Sequence, residues 1–128
     1  MDKETRKLIS EDCCRYCRDF PQFSKVRKIK YVISHFIFNP TFRLILWYRL
    51  GHDYLQQGRS KFLKKIFEWG HRKNTYKTGI QFGLQSRFGG GLTFSHFSGI
   101  VLTGYSKYGS NLTVFQNVTV GVVQNGGG

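Results

Sequence analysis

The chain has 128 residues, 40% of them hydrophobic and 16% aromatic, with 20 Lys and Arg against seven Asp and Glu. This length and apolar content can support a buried core, which excludes a disordered tail and favours one domain, or one domain with a short extension. The chain is short for a deep catalytic cleft within one subunit, so a contribution from partner chains is expected.

Three features of the sequence bear on location and metal binding. The longest apolar run, Leu44–Tyr48, is far shorter than the roughly 20 residues of a membrane-spanning helix. The segment Met1–Lys7 carries both charge signs and does not resemble a signal peptide, so a cytoplasmic location is expected. Cys14 and Cys17 have C-x-x-C spacing without a second pair, so they and Cys13 are expected to be reduced thiols rather than metal ligands.

Charge and glycine divide the chain into two regions. All seven acidic residues precede residue 70, whereas only five basic residues and most of the glycines follow Trp69. Because the two parts differ in both respects, we expect a helical N-terminal region over residues 1–75 and a different architecture over residues 76–128.

Helical signals fill the first region. Apolar residues at three- and four-residue spacing between residues 26 and 37 predict an amphipathic helix. Asn39 and Pro40 suit the N-cap and first turn of a second helix, and Gly58 suits its end. A third, short helix is expected from Ser60 to Trp69, with Gly70 ending it.

Two basic clusters lie in these helices, Lys25–Lys30 and Lys61–Lys65. They are most simply solvated helix faces, although weak contact with a membrane surface stays open. No helix-turn-helix, ribonucleoprotein or zinc-finger pattern is present, so no nucleic-acid partner is expected. His35, His52 and His71 are interpreted as packing or surface residues.

The second region has a six-residue period from Phe82 onward, with a two-residue interruption assigned to Ile100-Val101. The first position of each hexad is apolar or aromatic: Phe82, Phe88, Phe94, Leu102, Tyr108, Val114 and Val120. The fifth position is small or aliphatic: Ser86, Leu92, Ser98, Ser106, Leu112 and Val118. This period predicts a parallel β-helix with first and fifth positions inward, and the alternative is an antiparallel β-domain with glycine turns.

The stretch from Gly89 to Gly121 resembles the hexapeptide-repeat core of serine acetyltransferases and of related O-acetyltransferases from bacterial surface-polysaccharide clusters. The segments that carry the resemblance are the H-x-x-G run His96–Gly99, the stretch Val114–Gly121 and the helical lead-in Asn39–His52. The resemblance implies an α+β protein in which helices precede the first turns of a left-handed parallel β-helix, an acyltransferase domain over residues 76–128. It also implies a homotrimer, acetyl-CoA as co-substrate, and an active site between adjacent subunits.

The resemblance further implies that His96 is the general base, because the matching histidine of the family removes the proton from the acceptor hydroxyl. The family has an aspartate fifteen residues before this histidine, where Gln81 stands here, and often an acid directly before it, where Ser95 stands. Gln81, Ser95 and Gln116 are the expected substrate-binding residues. The missing acids weaken serine as the acceptor, since its ammonium group needs an anionic partner, and favour a sugar hydroxyl.

Only six complete hexads are present, about two turns of β-helix, whereas family members continue through turns that bind CoA. A C-terminally truncated chain, with its CoA-binding residues beyond Gly128, is therefore expected. Four functions follow: a serine O-acetyltransferase, a polysaccharide sugar O-acetyltransferase, an incomplete chain acting as an assembly module or remnant, and a basic nucleic-acid or membrane-surface binder.

Overall fold

The computed structural model describes residues 1–58, 60–104 and 106–122. Within these ranges, four α-helices come first: α1 Lys3–Tyr16, α2 Lys25–Phe38, α3 Pro40–Gln57 and α4 Lys61–Thr78, with a 3-10 turn at Phe20–Gln22. The described residues then form seven short strands: β1 Ile80–Gln81, β2 Arg87–Phe88, β3 Thr93–Phe94, β4 Ile100–Leu102, β5 Lys107–Tyr108, β6 Thr113–Val114 and β7 Thr119–Val120.

The boundaries of α3 confirm the capping signals in the sequence. The Asn39 side chain accepts a hydrogen bond from the backbone N–H of Phe42 at 3.1 Å, and Pro40 occupies the first turn. Gly58 ends the helix in a left-handed conformation with φ of 59°.

Gly70 does not end α4, so the prediction of a short last helix is wrong. The helix continues to Thr78 and is capped by Gly79, whose φ is 67°. A Cβ atom at Gly70 would lie 2.5 Å from the indole ring of Trp47 on α3. Gly70 therefore lets α4 pack closely against Trp47, and its place in the sequence reflects that contact rather than a helix end.

The strands form a coil with three faces, called here the β-coil, and every strand pair is parallel. Sheet A contains β1, β4 and β7, sheet B contains β2 and β5, and sheet C contains β3 and β6. The chain visits the three sheets in turn, as the six-residue period predicts, and the antiparallel alternative is wrong.

The strand register shows that the two extra residues of the coil do not lie at Ile100-Val101, where they are predicted. Ile80 pairs with Ile100, twenty positions later, whereas Val101 pairs with Thr119, eighteen positions later. Ile100 and Val101 are therefore strand residues, and the additional length lies in the turn 95–99 that precedes them. Ser98 falls in this turn and is exposed, so its predicted inward position is also wrong.

Helix α3 closes one end of the β-coil with an aromatic side chain. The Tyr48 ring lies 5.3 Å from that of Phe82 and 5.4 Å from that of Phe88, between ring centroids. Its hydroxyl donates a hydrogen bond to the carbonyl oxygen of Ser86 at 2.6 Å. Because this buried hydroxyl has a partner, Tyr48 joins α3 to the coil interior without an unsatisfied polar group.

A buried ion pair joins α1, α3 and the β-coil. Arg49 donates to the two carboxylate oxygens of Asp12 at 2.7 and 2.9 Å, and to the carbonyl oxygens of Phe88 and Gly89 at 2.8 and 2.7 Å. The same carboxylate accepts a bond from the backbone N–H of Leu92 at 2.8 Å. This network fixes the helical region on the coil that carries the candidate site.

Candidate functional site

The turn 95–99 forms the corner between sheet C and sheet A, and we call it the His96 turn. All five of its residues are exposed. The backbone N–H of Ser95 donates to the carbonyl oxygen of Val114 at 2.9 Å, and that of Asn117 donates to the carbonyl oxygen of Ser98 at 3.3 Å. The His96 turn therefore rests on the corresponding corner of the next coil.

The end of α4 lies against the other side of this turn. A Cβ atom at Gly79 would be 3.1 Å from Cα of Ser98, and the backbone N–H of Ile100 donates to the carbonyl oxygen of Gly79 at 3.1 Å. Gly79 thus satisfies two requirements, a left-handed φ and a close approach to the turn.

Ser98 has a φ of 122°, which residues with a side chain rarely adopt. Such strain persists only where the surrounding structure holds it, and it is found disproportionately at functional sites. Here the neighbouring corner and Gly79 supply the contacts that hold it. The His96 turn is therefore a constrained element of the coil, which favours it as a site.

His96 itself is exposed, as its outward direction in the hexad pattern predicts. Within the described ranges 1–58, 60–104 and 106–122, no side chain or backbone group hydrogen-bonds its imidazole. A neutral imidazole held at such a position can accept a proton from a hydroxyl group brought to it.

The structure brings three of the four candidate residues to one corner. Ser95 and His96 lie in the His96 turn, and Gln116 lies on the next coil in the stacked corner 115–117, where it is exposed. Gln81 lies elsewhere, on the outer side of sheet A, where it pairs with Val101. Ile80 and Phe82, which precede and follow Gln81 in the chain, are buried, whereas Gln81 is exposed, so its amide is directed outward.

Gln81 also lines a cleft of about 610 Å³ between α4 and the β-coil. Helix α4 contributes Glu68, His71 and Arg72 among the residues on the opposite wall. Sequence reasoning missed this cleft, although residues 68, 71, 72 and 75 have the spacing of one helical face. Glu68 is the acidic residue among those that line this wall, and its carboxylate lies 3.7 Å from Lys64 Nζ.

His71 is buried at the back of the cleft and has a structural role. Its Nε2 donates to the carbonyl oxygen of Phe82 at 2.8 Å, and burial lowers the pKa of its imidazole. The prediction that His71 is a packing residue agrees with this environment. The neutral His71 imidazole thus connects α4 to the first turn of the coil through this hydrogen bond.

The β-coil around the His96 turn contains no acidic side chain. No Asp or Glu occurs after Glu68 in the whole sequence. In the described part of the chain, no group of three His, Cys, Asp or Glu side chains could hold a metal ion. The chemistry available at this corner is that of an imidazole, a hydroxyl and an amide.

Two solved structures are similar to this chain. The serine acetyltransferase of Vibrio cholerae O1 biovar El Tor matches 97% of it at 19% identity and a TM-score of 0.68. That of Neisseria gonorrhoeae matches 99% of it at 22% identity and a TM-score of 0.65. The likeness shows the fold: helices followed by the start of a left-handed β-helix, as the resemblance in the sequence implies.

The chain spans less than half of these two proteins, covering 44% and 45% of their lengths. No protein-family model matches the sequence, and a comparison with curated proteins gives no match.

Proposed function

We propose that this chain belongs to an acetyl-CoA-dependent O-acetyltransferase in which His96 is the general base. The observation that carries the proposal is an exposed imidazole in a constrained corner turn, on a fold similar to that of serine acetyltransferases. In the proposed reaction, His96 takes the hydroxyl proton while the oxygen attacks the thioester carbonyl. The carbon–sulfur bond then breaks, and the CoA thiolate takes the proton from the imidazolium.

The acceptor is serine or a sugar hydroxyl, and the residues around His96 favour the sugar. Serine carries an ammonium group that would need a carboxylate close by, whereas the corner offers only the neutral side chains of Ser95 and Gln116. Gln81, on the adjacent face, is also neutral. A sugar hydroxyl needs hydrogen-bond donors and acceptors but no counter-charge. Serine stays the acceptor that the structural likeness suggests.

The active assembly we propose is a homotrimer with the acceptor bound between subunits. The His96 turn contacts Gly79 on one side and the next coil on the other, and its exposed outer side leaves room for a partner's side chains beside His96. Light scattering of the purified chain would give its mass directly. A monomer at micromolar concentration would remove this part of the proposal.

The experiment measures CoA release from acetyl-CoA with L-serine and with a panel of sugars. We expect His96→Ala to lower turnover about 100-fold or more, which is the usual contribution of a general base. Ser110→Ala is the matched control, since Ser110 is also exposed at a corner of the coil but lies between sheets B and C. Turnover by His96→Ala equal to that of the control would exclude His96 as the base.

A gain-of-function variant separates the two acceptors. Ser95→Asp places a carboxylate beside His96, where the family often has an acid. We expect it to raise turnover with L-serine and to leave sugar turnover unchanged or lower, because only serine carries a cation. An absence of turnover by the unmodified chain with every acceptor would favour the third function, an assembly module without catalysis.

A further inference from the structure

Helices α2 and α4 expose apolar side chains that the fold does not cover. On α2, Val26, Ile29, Ile33 and Ile37 are each more than half exposed and recur at three- and four-residue spacing. Tyr31 and Val32, on another side of α2, instead pack against the buried cluster of Cys13, Phe20 and Phe42. The amphipathic pattern in the sequence is therefore real, but its apolar stripe faces away from the core.

Helix α3 packs against both α2 and α4 and forms a groove with each of them. Ile29 and Ile33 line a groove with Leu46 and Leu50 of α3. Further along α3, Trp47 lies in a second groove with Trp69 of α4, which is 59% exposed.

We call the surface with these two grooves the outer helical face, and its principal apolar residues are Ile29, Ile33, Ile37, Leu50, Ile66 and Trp69. In α4, Ile66 and Trp69 lie on the side of the helix opposite His71, which contacts the coil.

Positively charged side chains line both grooves of the outer helical face: Lys28 lies in the groove with Ile29 and Ile33, and Lys73 and Lys77 lie in the groove with Trp69. Residues 20–79 contain only two acids, Asp53 and Glu68. Asp53 is buried, and the carboxylate of Glu68 lies beside Lys64. The ammonium of Lys73 lies 4.9 Å from the centroid of the exposed Trp69 ring, so a cation and an aromatic ring are presented together.

We propose that the outer helical face binds the surface of an anionic lipid bilayer. Apolar side chains flanked by lysines suit the boundary between acyl chains and headgroups. There the apolar side chains are buried among acyl chains, and the lysines are attracted to the anionic headgroups. Two other partners fit this face less well. A second copy of the chain would bring two positively charged faces together, which repel each other. A nucleic acid would contact the lysines but leave the apolar stripe exposed to water. Among the helices of the described residues, none is long and apolar enough to cross a membrane, so the contact is at the surface.

The test is sedimentation with vesicles of phosphatidylcholine alone or with 30% phosphatidylglycerol. We expect binding to the anionic vesicles to be at least about tenfold stronger, and to weaken as salt is raised. The double variant Ile33→Glu/Ile37→Glu should bind at least about tenfold more weakly, because it places two carboxylates in the acyl boundary. Both side chains are 53% exposed, so the substitution leaves the core intact.

The matched control carries the same two charges on the β-coil. Phe115 and Val122 are 54% and 73% exposed, and Phe115→Glu/Val122→Glu should bind the anionic vesicles as the unmodified chain does. The variant Trp47→Phe leaves Trp69 as the single tryptophan, and its emission should move to shorter wavelength when anionic vesicles are added.

Several results would overturn the proposal. These are equal binding to both kinds of vesicle, no loss of binding by Ile33→Glu/Ile37→Glu, or no emission change at Trp69. A dimer that forms without lipid and is abolished by Ile33→Glu/Ile37→Glu would instead identify the face as an interface between copies. None of these outcomes depends on catalysis by His96.

Discussion

The buried ion pair of Asp12 and Arg49 gives the sharpest test of how the helices hold the β-coil. Arg49→Ala removes two bonds to the carboxylate and two to the carbonyl oxygens of Phe88 and Gly89. It also leaves the Asp12 side chain, which is 1% exposed, without its counter-charge. Because breaking one side of a buried pair costs about 3–5 kcal/mol, this variant should lose a large share of the total stability.

The assay is urea unfolding followed by circular dichroism, for Arg49→Ala, Asp12→Ala and the double variant. The double variant should be more stable than the sum of the two single losses predicts, because it contains no unpaired buried charge. Burial raises the pKa of Asp12, and Arg49 opposes that rise. The loss in Arg49→Ala should therefore shrink from pH 8 to pH 5, since the unpaired carboxyl takes up a proton more readily in the folded chain.

The exposed pair of Lys64 and Glu68, 3.7 Å apart, is the matched control, and Lys64→Ala should cost less than about 1 kcal/mol. A cost for Arg49→Ala as small as that of Lys64→Ala would refute the reasoning. So would strictly additive losses in the cycle, because they would mean that the two charges do not interact.

Three further predictions concern single positions. Burial lowers the pKa of His71, so the free energy of unfolding of the unmodified chain should fall by up to about 1.4 kcal/mol per pH unit below about pH 6.5. His71→Gln can keep the hydrogen bond to Phe82 without titrating, and its unfolding free energy, measured in urea, should fall less over the same pH range. Burial raises the pKa of Cys13 to about 12, so a thiol reagent at pH 8 should label it only after denaturation, while Cys17 reacts in the folded chain. Ser98→Gly should raise the unfolding free energy by about 1 kcal/mol, because glycine accepts a φ of 122° without strain; a lower melting temperature would contradict this.

Local signals in the sequence were sufficient for the architecture. The six-residue period predicts most of the residues of the coil that face inward, although not at Ser98, since each hexad makes one side of a three-sided turn. Phe82, Phe88 and Phe94 are buried as that period predicts. The caps of α3 were equally readable, because Asn39 and Gly58 act on hydrogen bonds within a few residues of themselves.

Contacts between distant residues were not readable in the same way. The period shows that two residues are extra, but only the strand register shows that they lie in the His96 turn, because Phe94 pairs twenty positions later with Val114 whereas Val101 pairs eighteen positions later with Thr119. Gly70 looks like a helix end until Trp47 is seen against it. Nothing in the hexad pattern indicates that Gln81 shares a cleft with α4, because the other wall comes from residues 68–76.

The amino-acid order by itself determined a helical region followed by a parallel coil, and an outward histidine at a corner, because capping and periodicity are properties of short stretches of chain. Tertiary structure alone decided that Asp12 and Arg49 pair, that Ser98 is strained beside Gly79, and that the apolar stripe of α2 faces outward. Each of these depends on which surfaces meet, and an amphipathic pattern gives the existence of an apolar face without giving its partner.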